Sequence, residues 1–195
     1  MLFRSPYADN WRRFAIFSRA VLDGFGPLAF TPDVIHCFDW TAGLIPLVQQ
    51  LEYKDRDHPA AKPGTFFAVQ NLAMQGSFER AILPKIGLPH EYFRAIEGVE
   101  LGSRVNYLKA GAEFATLVGA GSPSRAQRFV DEDRGDGMTD TFRRRKDDII
   151  GIQNGIDYRT WNPANDPLLA QNYSVEDKEI AGKRKCKTAD RKSTR

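Results

Sequence analysis

Cysteine is scarce in this 195-residue chain: Cys37 and Cys186 are the only two, far apart and in unlike surroundings. Thiols so placed imply no bridge, which excludes a disulfide-stapled fold and fits a reducing compartment. Long apolar runs are missing as well. None approaches the roughly 18 residues of a membrane span, so no membrane partner is expected. The opening stretch, Met1-Leu2-Phe3-Arg4-Ser5-Pro6, lacks the apolar core of a signal peptide, and no Arg/Ser-rich leader follows it. Charge of a single sign is absent too, with 28 Lys and Arg against 25 Asp and Glu. Seven cations (Lys183, Arg184, Lys185, Lys187, Arg191, Lys192, Arg195) lie in residues 183–195 beside one anion, Asp190, so that end carries +6. The whole chain is +3, which leaves the other residues at −3. Nucleic-acid binders carry their charge on a folded face interleaved with aromatics, and this basic end has no aromatic residue. Nucleic acid is therefore not an expected partner. No Cys/His/Asp cluster has metal-ligand spacing, so neither a metal nor another cofactor is expected. There is no internal repeat.

What is present suffices for one ordinary domain: 42% hydrophobic and 11% aromatic residues can bury a core, which excludes a disordered chain. Asp9-Asn10 offers a helix start, and Trp11, Phe14, Ala15, Ser18, Val21 and Leu22 recur at helical spacing before Gly24 or Gly26. The burst Val34-Ile35-His36-Cys37-Phe38 has the pattern of a parallel strand buried on both faces, with His36 a satisfied core histidine. A helical stretch from Thr41 to Tyr53 follows, kinked or shifted by Pro46. A second strand is expected at 65–69, loops with short helices over 76–103, a helix at 105–110, and a third strand at 114–118. Ser122-Pro123 marks a helix entry, as cap and first residue. A polar segment from Asp131 to Asp148 leads to a fourth strand, Ile149-Ile150-Gly151-Ile152, and residues 154–166 are turn-rich.

Alternating strands and helices predict an α/β domain, a Rossmann-like parallel sheet flanked by helices. In such sheets the working residues follow the carboxyl ends of the strands. Three post-strand loops carry hydrogen-bonding side chains: Asp39-Trp40, Gln70-Asn71 and Asn154-Gly155-Ile156-Asp157. Their expected convergence along one rim would suit a polyhydroxyl ligand, although ordinary turns favour the same residue types.

In these loops the sequence resembles the bacterial glycogen synthases and plant starch synthases, nucleotide-sugar glucosyltransferases of the two-domain GT-B architecture. The blocks that carry the resemblance run in family order. They are Asp9-Asn10 with Arg13 to Ala20, Pro32-Asp33-Val34-Ile35-His36-Cys37-Phe38-Asp39-Trp40, and Asn71-Leu72-Ala73-Met74-Gln75-Gly76. Then come Val105-Asn106-Tyr107-Leu108-Lys109-Ala110-Gly111, and Asn154-Gly155-Ile156-Asp157 with Trp161-Asn162-Pro163. The resemblance implies an incomplete N-terminal half of a GT-B fold. Residues 1–153 would be a partial N-terminal catalytic domain, 154–182 an interdomain crossover, and 183–195 a disordered basic tail.

The implied reaction transfers glucose from ADP-glucose or UDP-glucose to the non-reducing end of an α-1,4-glucan. The implied partners are a nucleotide-sugar donor and an α-glucan acceptor, with donor binding weak or absent without a C-terminal domain. The family's diphosphate-contacting Lys-Thr-Gly-Gly-Leu loop and its C-terminal domain have no counterpart in these residues, so the chain by itself is expected to be inactive. A non-catalytic glucan-binding module is the alternative. Without a leader, the implied location is the bacterial cytoplasm, with the plastid stroma as alternative.

Asp39 and Gln70 are the implied catalytic positions. Asp39 reads either as a cap for the helix at Thr41 or as a sugar-facing carboxylate, and the resemblance favours the carboxylate. Gln70 stands where the family has a histidine that contacts the donor sugar; its amide still donates and accepts but carries no titrating proton. Asn71, Gln75, Gly76 and Asn154 are the implied substrate-binding residues, while Asn71 could instead fix its loop and Asn154 begins a turn. Met74 replaces an aromatic residue. Asn106 and Lys109 share a helix face and would either meet the cleft or pack locally. Trp40 and Trp161 are expected as packing anchors.

Overall fold

In the computed structural model, residues 7–131, 134–177 and 181–193 are described, and internal contacts divide the chain into two units, Met1–Gln153 and Asn154–Arg195. The first unit opens with helix α1 (Asn10–Gly24), whose buried Phe14, Ala15, Ser18 and Leu22 follow the predicted period. Strand β1 (Val34–Phe38) leads through a 3-10 turn at Trp40–Ala42 into helix α2 (Ile45–Glu52). Pro46 sits in the first turn of α2, where its missing N–H leaves no bond unmade, so it shifts the helix start rather than kinking it.

After strand β2 (Gly64–Val69) the stretch expected as loops holds three short strands, β3 (Ser77–Glu79), β4 (Glu100–Leu101) and β5 (Arg104–Asn106). They form a small antiparallel sheet in the order β3-β5-β4. Strands of two or three residues are too short to show an alternation, so only their tertiary pairing reveals them. Helix α3 (Tyr107–Phe114) begins at a clear cap: Asn106 Oδ1 accepts from Lys109 N at 2.8 Å. The third parallel strand, β6 (Leu117–Ala120), begins three residues later than expected because Phe114 closes α3. An apolar burst that straddles a helix end and a strand start shows no single period.

Ser122 caps helix α4 (Pro123–Phe129), its Oγ accepting from Arg125 N at 3.1 Å. Helix α5 (Thr139–Arg144) lies inside the polar segment and buries Thr139, Thr141 and Phe142. Strand β7 (Ile149–Gly151) completes the main sheet.

That sheet is wholly parallel, in the order β1-β2-β6-β7. Registers such as Cys37↔Phe67↔Val118 put Ile35, Cys37, Phe67, Val69 and Val118 on one side. There they join Leu44, Leu47, Val48, Tyr107 and Leu108 in the core. The opposite side corrects an expectation: β1 alternates between exposed and buried positions and is not buried on both faces. Val34 (59% exposed) and Phe38 (50%) stand on it, with Ile150 exposed on the same side by register. His36 is likewise exposed, stacked on Phe38 at 4.1 Å and tilted against Phe66 at 4.8 Å, not a core histidine. The apolar count that made β1 look doubly buried describes a sheet side on which Val34, His36 and Phe38 stand exposed.

The second unit is turn-rich up to residue 177 and then forms helix α6 (Ala181–Ser193). Over residues 183–193 this replaces the disordered tail expected at 183–195, of which residues 194 and 195 lie outside the described residues: Ala, Lys and Arg are strong helix formers, and the helix is tied to its own unit. Lys185 Nζ donates to Gln171 Oε1 at 3.1 Å and the Cys186 thiol to Gln171 O at 3.1 Å. Trp161 is 68% exposed, so it is not a packing anchor as expected. No helix among the described residues is long and apolar enough to cross a membrane.

Candidate functional site at the carboxyl rim of the parallel sheet

The residue after β1 bears the least comfortable backbone of the rim. Asp39 has φ 52° and ψ −171°, a region that glycine occupies at little cost and other residues rarely adopt. The turn that follows explains it. Trp40 packs edge-on against Phe14 with ring centroids 4.7 Å apart. Gly43 lies so close to α3 that a Cβ there would be 2.0 Å from Tyr107 O. With the turn fixed on both sides, Asp39 takes up the bend. Its carboxylate does not cap the turn. Oδ1 instead accepts from the first two amides after β2, Gln70 N at 2.8 Å and Asn71 N at 3.1 Å. One carboxylate therefore joins two post-strand loops, and charge-assisted bonds of this kind are stronger than neutral ones.

The loop so held has divided roles. Asn71 Oδ1 accepts from Ala73 N at 3.1 Å and shapes the loop, while the half-buried Gln70 amide has no hydrogen-bond partner among the described residues. Gln75 is engaged at both ends of its amide, donating to Asp136 O at 2.8 Å and accepting from Asn106 Nδ2 at 2.7 Å. Gly76 has φ +60°, and a Cβ there would meet the Trp40 ring at 2.3 Å, so it serves packing. Beside the loop lies a cleft of about 270 Å³ lined by Val69 to Ala73, by Arg125, Arg128 and Phe129 of α4, and by Arg134 and Asp136.

A sequence profile described as the starch synthase catalytic domain matches residues 2–144. This chain belongs to the starch synthase catalytic-domain family. It is 39% identical over 183 residues to a glycogen synthase of Anaeromyxobacter sp. (strain Fw109-5), covering 94% of this chain and 38% of that one. A glycogen synthase of Thermodesulfovibrio yellowstonii is 40% identical over 170 residues, covering 87% and 34%. Among solved structures, the catalytic domain of starch synthase IV from Arabidopsis thaliana, bound to ADP and acarbose, superposes with a TM-score of 0.75. The two share 31% identity, with 97% of this chain and 38% of that chain covered. The chain thus spans little more than a third of the length of these relatives, and its sheet is that of a GT-B fragment.

Within this starch-synthase unit the fold brings together Asp39, Gln70 and Asn71, with Gln75 and Gly76 behind them as loop supports. Asn154 belongs to the second unit, where it is exposed at the head of a turn that Asp157 organises, accepting from Arg159 N at 2.9 Å and Thr160 Oγ1 at 3.0 Å. Asn106 and Lys109 pack locally. Lys109 is only 2% exposed, and its Nζ donates to Ala95 O at 2.6 Å and Glu100 O at 2.5 Å. Burial holds its ammonium below the usual lysine range, against the opposing pull of Glu113 and Glu100. Among the described residues, no His/Cys/Asp/Glu group could hold a metal ion. Sequence reasoning missed the α4 arginines; the available signal was the spacing of Arg125 and Arg128, i and i+3 on a helix that enters straight after a strand.

Proposed function

We propose that this chain supplies the N-terminal rim of an α-1,4-glucan synthase that takes glucose from ADP-glucose or UDP-glucose, and that the 195 residues alone do not turn over. The observation that carries the reading is the Asp39 clasp on the Gln70–Asn71 loop: a strained, non-glycine backbone held at the carboxyl edge of a parallel sheet. Strain of that kind costs about 1–3 kcal/mol and persists only where surrounding structure enforces it. Family membership and a solved relative bound to ADP and acarbose support the ligand class.

The chemistry open to these residues is binding and orientation. Asp39 Oδ2 has no hydrogen-bond partner among the described residues and is not buried, so it can accept from a sugar hydroxyl while Oδ1 holds the loop. The Gln70 amide can donate to one hydroxyl and accept from another, but it offers no proton that titrates near neutrality. Asn71, Gln75 and Gly76 set the loop's shape. Asn154 keeps its substrate-binding role in this proposal on the strength of the family resemblance. Retaining transfer also needs groups that stabilise the departing diphosphate, and we assign these to the parts of the relatives that this chain does not span.

The test is label transfer from radiolabelled ADP-glucose and UDP-glucose to glycogen, by the chain alone and with a separately expressed remainder of a relative. The expected outcome is no incorporation by the chain alone and measurable incorporation on complementation, lost in Asp39→Ala. Incorporation by the chain alone would overturn the claim that it is incomplete as a catalyst. Co-sedimentation with glycogen, without transfer under either condition, would favour a glucan-binding module.

A further inference from the structure

Behind the Gln70 loop, a series of amide hydrogen bonds runs in a single direction. Asn106, 1% exposed, caps α3 by accepting from Lys109 N through Oδ1 at 2.8 Å. A backbone N–H can only donate, so the Asn106 atom turned to it is the oxygen, and Nδ2 is left to face Gln75. That nitrogen donates to Gln75 Oε1 at 2.7 Å, which turns Gln75 Nε2 the other way, to donate to Asp136 O at 2.8 Å. The main chain of the loop is held separately: Leu108 N donates to Gln75 O at 3.0 Å and Tyr107 N to Gly76 O at 3.1 Å. At the far end of the series, Asp136 (φ 47°) and Gly137 (φ 79°) form a left-handed bend. Arg134 and Asp136 of this segment line the cleft together with the Gln70 loop. Among the described residues, the other hydrogen bonds of 134–137 go only to residues 131 and 138. The Gln75 amide is what ties the segment to the rim.

We propose that Asn106 is a positioning residue of the rim: as the cap of α3 it sets the orientation of the Gln75 amide, and through Gln75 it holds the 134–137 segment beside the Gln70 loop. Each bond in the series uses the polarity that the previous one leaves, so a change of polarity at residue 106 reaches Asp136 with almost no change of shape. With Asn106→Asp the cap survives, because a carboxylate accepts from Lys109 N and suits a helix N-terminus. The carboxylate cannot donate to Gln75 Oε1. The Gln75 amide therefore turns over to donate to it, which leaves Oε1 against Asp136 O. Two carbonyl oxygens repel, and the segment is released. The inference rests on the proposed function for one consequence, that the held segment keeps the glucosyl group oriented beside Gln70. Orientation of this kind shows in kcat rather than in KM.

Three variants of the 15N-labelled chain, Asn106→Asp, Gln75→Ala and the two combined, test the relay by NMR. Asn106→Asp should shift the Gln75 side-chain amide and the backbone resonances of 134–137, while the Lys109 amide keeps its slow exchange. Gln75→Ala should also shift 134–137, and the double variant should shift them no further than Gln75→Ala does, since both residues act through one bond. Asn106→Ser, a neutral cap too short to reach Gln75, should give the same pattern without burying a charge, and replaces Asn106→Asp throughout if that variant does not fold. Unmoved 134–137 resonances in the folded residue-106 variant, or a further shift in the double variant, would overturn the proposal. In the complemented synthase, the residue-106 variant should lower kcat about tenfold or more, with KM for ADP-glucose changed less than about twofold. An unchanged kcat in a variant whose 134–137 segment has moved would overturn the positioning role. If the wild-type complex transfers no glucose, the synthase reading falls, whereas the resonances decide the relay by themselves.

Discussion

Asp39 concentrates the chemistry of the rim in one side chain. It could be recognised in the sequence as a carboxylate after a strand, but its true partners, the amides of Gln70 and Asn71, lie 31 and 32 positions away and are visible only in three dimensions. Removing the carboxylate leaves both amides without their acceptor, which costs about 2–3 kcal/mol for bonds to a charged group. Asp39→Ala should therefore lower stability by that amount in urea unfolding and abolish slow hydrogen exchange at the Gln70 and Asn71 amides. Asp39→Asn, which keeps a neutral acceptor, should lose less and retain partial protection. Cys37 gives a second residue-level prediction. Burial in the core pushes its thiol from 9.0 up to about 12. Above pH 9 the unfolded chain releases this proton while the folded chain keeps it, so stability conferred below pH 9 is lost as pH rises towards 12. The wild type should lose about 1 kcal/mol per pH unit above 9 relative to Cys37→Val, read from urea unfolding with reductant between pH 8 and 10. Comparison with the variant cancels the opposite contribution of Lys109, whose lowered value makes stability rise with pH.

At the level of elements, the site depends on contacts made behind it. The turn at Trp40–Ala42 touches α3 through Gly43, and α3 begins at Asn106, whose amide also reaches Gln75 in the site loop. Gly43→Ala would place a methyl carbon against the Tyr107 carbonyl, and overpacking against rigid backbone costs about 3 kcal/mol. Because the turn follows Asp39 directly, this substitution should also loosen the Gln70 loop. Exchange protection at the Gln70 amide should therefore fall further in Gly43→Ala than in a surface control of equal thermal stability. The sequence marked α1, α4 and the parallel strands β1, β2 and β7 well, since each carries its own apolar burst, period or cap, whereas β6 was displaced by the helix end that precedes it. The antiparallel strands β3, β4 and β5 left no such mark, because their pairing is non-local and each is two or three residues long.

For the whole molecule, the feature with the largest physical consequence is the open side of the parallel sheet in the first unit. Val34, Phe38 and Ile150 are exposed there, and β1 pairs with a neighbour along one edge only among the described residues. An apolar sheet side next to a free strand edge promotes association. The chain should bind a solvatochromic dye such as ANS in its folded state and show a concentration-dependent sedimentation coefficient. Phe38→Lys should reduce both without lowering the melting temperature appreciably, since the side chain is half exposed in the folded state. Equal dye binding and equal association in the variant would locate the exposed apolar surface elsewhere.

The sequence by itself determined the architecture of the first unit and the identity of its family. A parallel α/β sheet follows from short apolar bursts separated by capped helices, and ordered blocks of residues mark the starch synthase catalytic-domain family without reference to coordinates. The two candidate carboxyl-rim loops, at Asp39 and at Gln70–Asn71, were also legible, because polar residues directly after buried strands are local signals. Tertiary structure decided what those residues do: that Asp39 holds a neighbouring loop, that Gln75 and Lys109 are engaged with the protein, and that His36 stands on an open surface. It also decided that α4 delivers to the cleft two arginines, Arg125 and Arg128, with no side-chain hydrogen bond or ion pair among the described residues. The reason is physical: a side chain's partners and burial depend on residues far along the chain, and no periodicity in the sequence encodes those distances.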